Sequence, residues 1–303
     1  MLAGKHVVFL GGDARQLEVI RQIIQLNAKV SLIGFDNLQS PVSGTTKREI
    51  DDRIWGDIDI LILPIVGTDD QGKITSAFTS KSLKLTEEHL AQLPKNCKIF
   101  SGIARPYLKE LCAKYHLSLY ELLERNDVAI YNSIPTVEGA LMMAIQHTDI
   151  TIHDSVTIVL GLGRVGLSLA RVLHAIGAKV RVGVKHSEDM ARAFEMGIQS
   201  FHIEELAQQV KDADLIFNTV PAKVLHASVL SQLPYDAVII DLASKPGGVD
   251  YHYAEKRGIK AILAPSLPGI VAPKTAGSII AKAIMQVMSE NVNKGGCEHE
   301  FLK

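Results

Sequence analysis

The sequence predicts an α/β chain made of two consecutive doubly wound domains, each a parallel sheet covered by helices. Three observations carry this. Apolar runs of strand length alternate with helical patterns from end to end, as buried parallel strands and their crossover helices require. At 303 residues the chain exceeds what one hydrophobic core usually holds. A glycine-bearing turn follows the first strand of each half, at Gly11-Gly12 and again at Gly161-Leu162-Gly163.

In the first half, His6–Leu10 reads as a strand, and Leu17, Ile20, Ile23 and Ile24 recur at helical spacing after it. Strands follow at Lys29–Ile33, 58–63 and Lys98–Ser101. The segment 65–84, polar and rich in Gly, Ser and Thr, reads as a mobile surface loop or a short hairpin. A boundary falls near Asn132, where Pro135 is expected in the first turn of a helix with Ser133 close to its cap. The second half repeats the pattern, with strands at Val156–Leu160, 180–184, Leu215–Asn218, Val238–Asp241 and 261–263. An amphipathic helix over 276–292 closes the chain, and the tail after Lys294 reads as loose. The domain limits are therefore 1–133 and 134–303, with the return of the closing helix to the first domain left open. The implied architecture is two Rossmann-like domains with an active cleft between them, at the carboxyl ends of the strands.

The 32 Lys+Arg and 33 Asp+Glu cancel to a net charge of -1, which argues against a polyanion partner. A 47% hydrophobic content argues against disorder. Near Met1 no basic segment precedes a long apolar stretch, and no apolar run approaches the ~20 residues that span a bilayer. Cys97, Cys112 and Cys297 lie far apart without C-x-x-C spacing, so no metal is expected and a cytoplasmic location is.

Gly161-Leu162-Gly163-Arg164-Val165-Gly166 follows a strand and opens a helix. Gly161 permits the tight turn, Gly163 admits a pyrophosphate to the backbone, and Gly166 lets helix and sheet pack closely. An NAD site wants a carboxylate at the end of the next strand. Lys185-His186-Ser187 stands there instead, with no acid before Glu188. A cation and a hydroxyl suit the 2′-phosphate of NADP, the alternative being a solvated basic turn. Thr219-Val220-Pro221 is a small-residue turn placed to support a nicotinamide ring. The Gly11-Gly12-Asp13 turn lacks a third glycine and puts Asp13 where phosphate would be repelled, so no second dinucleotide site is expected. Arg15 reads as a carboxylate clamp or as a salt-bridge residue.

The arrangement resembles the two-domain 2-hydroxyacid dehydrogenase and adenosylhomocysteinase group. Lys245-Pro246-Gly247-Gly248 stands where the hydroxyacid enzymes carry a substrate-gripping Arg-Gly-Gly, and Pro273-Lys274 where they carry a Pro-His pair. The missing histidine argues against ordinary 2-hydroxyacid oxidation. Longer strings, at 11–18, 130–149, 161–166, 241–248 and 267–277, resemble the dipicolinate synthase A-subunit family of spore-forming bacilli. That resemblance implies a sporulation enzyme of the mother-cell cytoplasm working with a smaller, flavoprotein-like B-subunit. It also implies oxidation of dihydrodipicolinate, formed from 4-hydroxy-tetrahydrodipicolinate, to dipicolinate.

On that chemistry Lys274, Lys245 and Glu138 are the candidate catalytic residues, with Arg15, Ser133, Thr136 and Ser244 for the substrate. His147 is a second candidate base. Glu138 is equally readable as a helix cap, and His147 as a helix-end residue. Two other readings stay open: an NADPH-binding regulatory or scaffold protein of the synthase, and a 2-hydroxy or imino acid dehydrogenase. Homo-oligomerisation is expected, with Leu141, Met142, Met143, Ile145, Ile279, Ile280, Ile284 and Val287 as core or dimer surface.

Overall fold

A computed structural model of the chain describes residues 2–40, 42–244 and 246–296. It divides into two compact units: one runs to Tyr131 and resumes at Ala272, and the other is Asn132–Val271. The first unit contains β1 (His6–Leu10), α1 (Ala14–Ile24), β2 (Lys29–Ile33), β3 (Thr45–Arg48) and β4 (Ile60–Ile62). Next come β5 (Lys73–Ile74), β6 (Leu83–Lys84), α2 (Glu87–Gln92), β7 (Lys98–Ser101), α3 (Pro106–Lys114) and β8 (Ser118–Glu121). Helix α4 (Asn126–His147) runs across the boundary. The second unit continues with β9 (Val156–Leu160), α5 (Arg164–Ala175), β10 (Lys179–Val184), α6 (Ser187–Glu195), β11 (Gln199–His202) and α7 (Leu206–Gln209). It ends with β12 (Leu215–Asn218), α8 (Ala227–Leu230), β13 (Val238–Asp241), α9 (Tyr251–Arg257), β14 (Lys260–Leu263) and α10 (Leu267–Val271). Helix α11 (Pro273–Gly296) lies in the first unit.

Both six-stranded sheets are parallel throughout, ordered β3-β2-β1-β4-β7-β8 and β11-β10-β9-β12-β13-β14. Counted within each sheet, both orders read 3-2-1-4-5-6. The order reverses beside the first strand, which opens a crevice at the carboxyl ends of β1 and β4, and of β9 and β12. The central strands are buried apolar runs; every residue of β1 is buried.

Three strands, β3, β8 and β11, were not expected from the sequence. Each is a sheet edge, paired on one side only, and is largely polar and exposed or half-buried. Pro135 does not start a helix. It lies inside the 22-residue α4, and Ser133 is mid-helix. The proline forfeits one backbone hydrogen bond. The helix persists because it is buried on either side of the break, by Val128 in one core and by Val137, Ala140 and Ala144 in the other. By length and composition α4 could also cross a bilayer, contrary to the expectation that no run comes near; a buried core helix passes the same test.

The segment 65–84 is not a loose surface loop. Its β5–β6 hairpin buries Ile74 and Leu83 in a core of the first unit. Gly12 N–H donates to Thr75 O (3.1 Å), Ala77 N–H to Gly12 O (2.8 Å), and Ser76 Oγ to Gly34 O (2.7 Å). The segment therefore covers the carboxyl ends of β1 and β2.

Helix α11 continues to Gly296, beyond the expected 292, and the rest of the tail lies outside the described residues. Its Ile280, Ile284 and Val287 are core, not surface. It crosses α1 so closely that a Cβ on Gly277 would sit 2.4 Å from Arg15 O. Gly277→Val is therefore expected to destabilise the first unit by about 2 kcal/mol, from overpacking against backbone. A lower denaturant midpoint checks this; an unchanged midpoint contradicts it.

The single tryptophan, Trp55, stacks on His89 with ring centroids 4.3 Å apart. His89 Nδ1 accepts the Thr86 N–H (3.2 Å) in a capping box, which requires that nitrogen unprotonated. Burial lowers the His89 pKa despite the opposing charges of Asp51 and Glu88, and burial and Lys29 lower that of His6. With both depressed in the fold, the unfolded chain takes up protons first. Their contribution is full above about pH 6.5 and is lost as pH falls below it. The unfolding midpoint read by Trp55 fluorescence should drop between pH 7.5 and 5.5, and less so in His89→Gln.

Candidate functional site

In the second unit three turns gather at the carboxyl ends of neighbouring strands. After β9, Gly161 adopts φ +87°, and a Cβ there would meet Thr219 Oγ1 at 2.8 Å. A Cβ on Gly166 would lie 2.1 Å from Gly161 O, so α5 starts pressed against the turn. Gly163 caps α5 without any side-chain cap bond, and a Cβ on it would meet nothing within 4 Å. Open space thus lies beside an uncapped helix N-terminus, the condition an anion requires. Leu162 is buried beneath the turn, Val165 is half-buried and Arg164 is exposed.

After β12, Thr219 Oγ1 donates to Leu160 O (2.7 Å), so its hydroxyl braces the glycine turn. Val220 N–H donates to Asn218 Oδ1 (3.1 Å), and Pro221 is exposed. After β10, Lys185, His186 and Ser187 are exposed, and His186 is the N-cap of α6. Two open grooves in this unit, of 540 Å³ along β11 and α6 and 550 Å³ beside α5, contain none of the three turns.

Beneath these turns lies a network that apolar patterning and motif spacing did not reveal. Asp241, fully buried, accepts four hydrogen bonds: from Ala243 N–H (3.1 Å), Asn218 Nδ2 (2.8 Å), Gly248 N–H (2.7 Å) and Tyr251 Oη (2.8 Å). Burial and the bond to Asp241 push the Tyr251 pKa up, so its hydroxyl stays a donor at neutral pH. A Cβ on Gly247 (φ +90°) would sit 2.5 Å from Asp241 Oδ2, and one on Gly248 2.3 Å from Asn218 Nδ2. The available signal was a polar residue ending each of two adjacent strands, since Asn218 and Asp241 are register partners.

The other expected residues fall as follows. Ser133 is buried, with its Oγ 3.0 Å from Ser168 Oγ, and Thr136 Oγ1 donates to Asn132 O (2.7 Å). Both hydroxyls therefore have partners inside their own unit. Glu138 is exposed on the middle of α4 rather than capping it, and the backbone carbonyl of His147 accepts from Lys260 Nζ (3.1 Å). Ser244 is exposed, and its carbonyl closes a turn with Gly247 N–H (2.9 Å). Lys245 lies outside the described residues. In the first unit Arg15 is buried and bonded through Nε and Nη2 to Asp13 (3.0 and 2.6 Å). Burial works against the Asp13 carboxylate, but Arg15 outweighs it and holds the pKa below its ordinary value. Lys274 is exposed in the first turn of α11, at the end of that helix nearest Arg15.

A doubly wound sheet with an uncapped glycine turn at its switch point defines a dehydrogenase-type nucleotide-binding domain. Residues 133–301 match the family model of the alanine dehydrogenase/PNT C-terminal domain, and residues 6–123 that of the dipicolinate synthase A-subunit N-terminal domain. The dipicolinate synthase A-subunit of Bacillus subtilis (strain 168) is 49% identical over 290 residues, 96% of this chain and 98% of that one. The crystal structure of the dipicolinate synthase A-subunit from Bacillus halodurans superposes with a TM-score of 0.92 at 53% identity, over 95% of this chain and 98% of that chain. A Sinorhizobium meliloti transhydrogenase shares the fold, with a TM-score of 0.67 at 15% identity over 94% of both chains. The chain belongs to the dipicolinate synthase A-subunit family.

Asp241→Ala would leave four donors without their acceptor. It should cost about 3 kcal/mol or more of stability, and Tyr251→Phe about 1 kcal/mol. Equal unfolding midpoints for Asp241→Ala and wild type would show that the network carries no such weight.

Proposed function

We propose that this chain is an NADP-dependent oxidoreductase that aromatises dihydrodipicolinate, derived from 4-hydroxy-tetrahydrodipicolinate, to dipicolinate during sporulation, working in the mother-cell cytoplasm with a B-subunit partner. The observation that carries the cofactor half is the open space at Gly163, before an uncapped α5. There the backbone of 161–166 would hold a pyrophosphate, and Thr219-Val220-Pro221 would flank the nicotinamide. Lys185, His186 and Ser187 would meet the 2′-phosphate. When bound, the dinucleotide supplies the hydride acceptor.

The substrate is a dianion, so this chain's task is to hold and orient two carboxylates. Lys274 fits that task. A lysine in the first turn of a helix opposes the helix dipole, and that turn of α11 contains no acid to offset it. Lys274 makes no ion pair among the described residues. A bound carboxylate would satisfy both the helix end and the ammonium. Ser244, on the loop anchored by Asp241, and Lys245, next to it in sequence, are the proposed second grip. Arg15, its charge already met by Asp13, adds donors at the same end of the first unit as Lys274. Glu138 is the proposed base for the ring proton, being an exposed carboxylate with no ion pair among the described residues.

A second reading has an observation in its favour: Ser133, Thr136 and Arg15 all spend bonds on intramolecular partners, as they would in a nucleotide-binding scaffold whose chemistry lies in the B-subunit. The purified chain, given NADP⁺ and freshly made 4-hydroxy-tetrahydrodipicolinate, should gain the absorbance of NADPH and of dipicolinate. Silence without the B-subunit, together with tight NADPH binding, would establish the scaffold reading instead. Lys274→Ala should abolish turnover and leave NADPH affinity unchanged; near-normal turnover would remove Lys274 from the site.

A further inference from the structure

We infer that His202, at the end of the edge strand β11, is a positioning residue for dinucleotide selection: it clamps the Lys185–His186 peptide and so aims the turn that discriminates NADPH from NADH. The inference rests on the proposed reading that this turn meets the 2′-phosphate.

His202 is the register partner of Val184, the last residue of β10. Its Nε2 lies 3.2 Å from Lys185 O. A carbonyl can only accept, so Nε2 carries the hydrogen whether the ring is neutral or charged. Its Nδ1 faces the exposed Glu204 carboxylate at 3.6 Å. The ring is thus anchored through Nε2 to the main chain of the turn.

The peptide between Lys185 and His186 is planar and trans, so its N–H points opposite to its C=O. With the carbonyl drawn toward His202 on β11, the His186 N–H is turned away from β11. In the sheet order β11-β10-β9, that is the side of β9 and its glycine turn. The His186 N–H makes no hydrogen bond among the described residues, and no side chain caps α6. The clamp therefore presents an unused amide, followed by the first turn of α6, toward the side where the phosphate-binding loop lies.

Charge alone does not select a phosphate here. Lys185 is accompanied by Glu188 and Asp189 in the first turn of α6 and by Glu204 beside His202. With three carboxylates this close to the lysine, discrimination has to come from which group is held where. His202 is the side chain that holds the turn, and it does so from a strand outside the 185–187 motif.

The test uses the full chain and direct binding of NADPH and NADH, followed by nucleotide fluorescence, in wild type, His202→Leu and His202→Gln. The Leu variant should lose about tenfold in NADPH affinity, the equivalent of one or two hydrogen bonds, and keep NADH affinity within about twofold. His202→Gln, whose amide can donate to Lys185 O, should regain most of the loss. Parallel loss of both nucleotides in the Leu variant would mark a merely structural role and overturn the inference, as would unchanged affinity for both. A wild type that binds NADH as tightly as NADPH would instead refute the NADP reading itself, and the inference with it.

Discussion

The carboxylate of Asp241 is the constraint on which the second unit's working edge depends. Parallel strands that end side by side leave backbone groups in a buried setting, where each must find a partner. Asp241 collects donors from four directions: its own turn, the neighbouring strand through Asn218, the far end of its loop at Gly248, and α9 through Tyr251. A buried charge is costly unless its lone pairs are met, and here four neutral dipoles meet them, with no counter-cation among the described residues. The loop 242–248 is consequently held at both ends by one side chain. The Gly247-Gly248 pair follows from the same demand, because any Cβ there would enter the space of the carboxylate or of its Asn218 partner.

The two units share a strand order and differ in what fills the crevice it creates. In the first, residues 75–78 bond to the backbone at Gly12, Gly34 and Asn37, so the chain itself occupies the ends of β1 and β2. Helix α1 is closed as well: Asp13 and Gln16 form a capping box, and Arg15 neutralises Asp13. At the equivalent place in the second unit, α5 begins at Gly163 with neither cap nor obstruction. One topology therefore yields a sealed switch point and an open one, and the difference comes down to a few residues after the first strand. Asp13 at the first turn excludes an anion and supplies the cap in its place.

Much of this was legible in the sequence, and the parts that were not share a cause. Central strands such as β1, β2, β7, β9, β12 and β13 appear as apolar runs because both faces of a parallel sheet are covered. The edges β3, β8 and β11 have one hydrogen-bonded neighbour and polar faces, so the apolar signal that reveals a strand is weak in them. Pro135 misled for a related reason. A proline usually marks a helix start, but the burial of Val128 on one side and Val137 on the other outweighs the rung it removes. The glycine turn was readable because each of its glycines has a distinct steric reason. Asp241, Asn218 and Tyr251 were not readable as a cluster, because only the strand register brings them together.

Helix ends tie the nucleotide and substrate halves of the reading together. Where a first turn serves only the fold, as in α1, α2 and α9, a side chain of Asp13, Thr86 or Asp250 accepts its free N–H groups. Such caps contribute about 1 kcal/mol each, so omitting them is not neutral. Helices α1 and α5 hold equivalent places in their sheets, yet only α1 carries a side-chain cap. Absence of a cap alone proves little, because α3 and α8 also lack one. What distinguishes α5 is open space beside Gly163, and what distinguishes α11 is a lysine set against the dipole with no acid to balance it. Neither first turn contains an acidic side chain. In a chain whose total charge is -1, these are two helix starts without a negative side chain, the setting in which the helix dipole favours an anion.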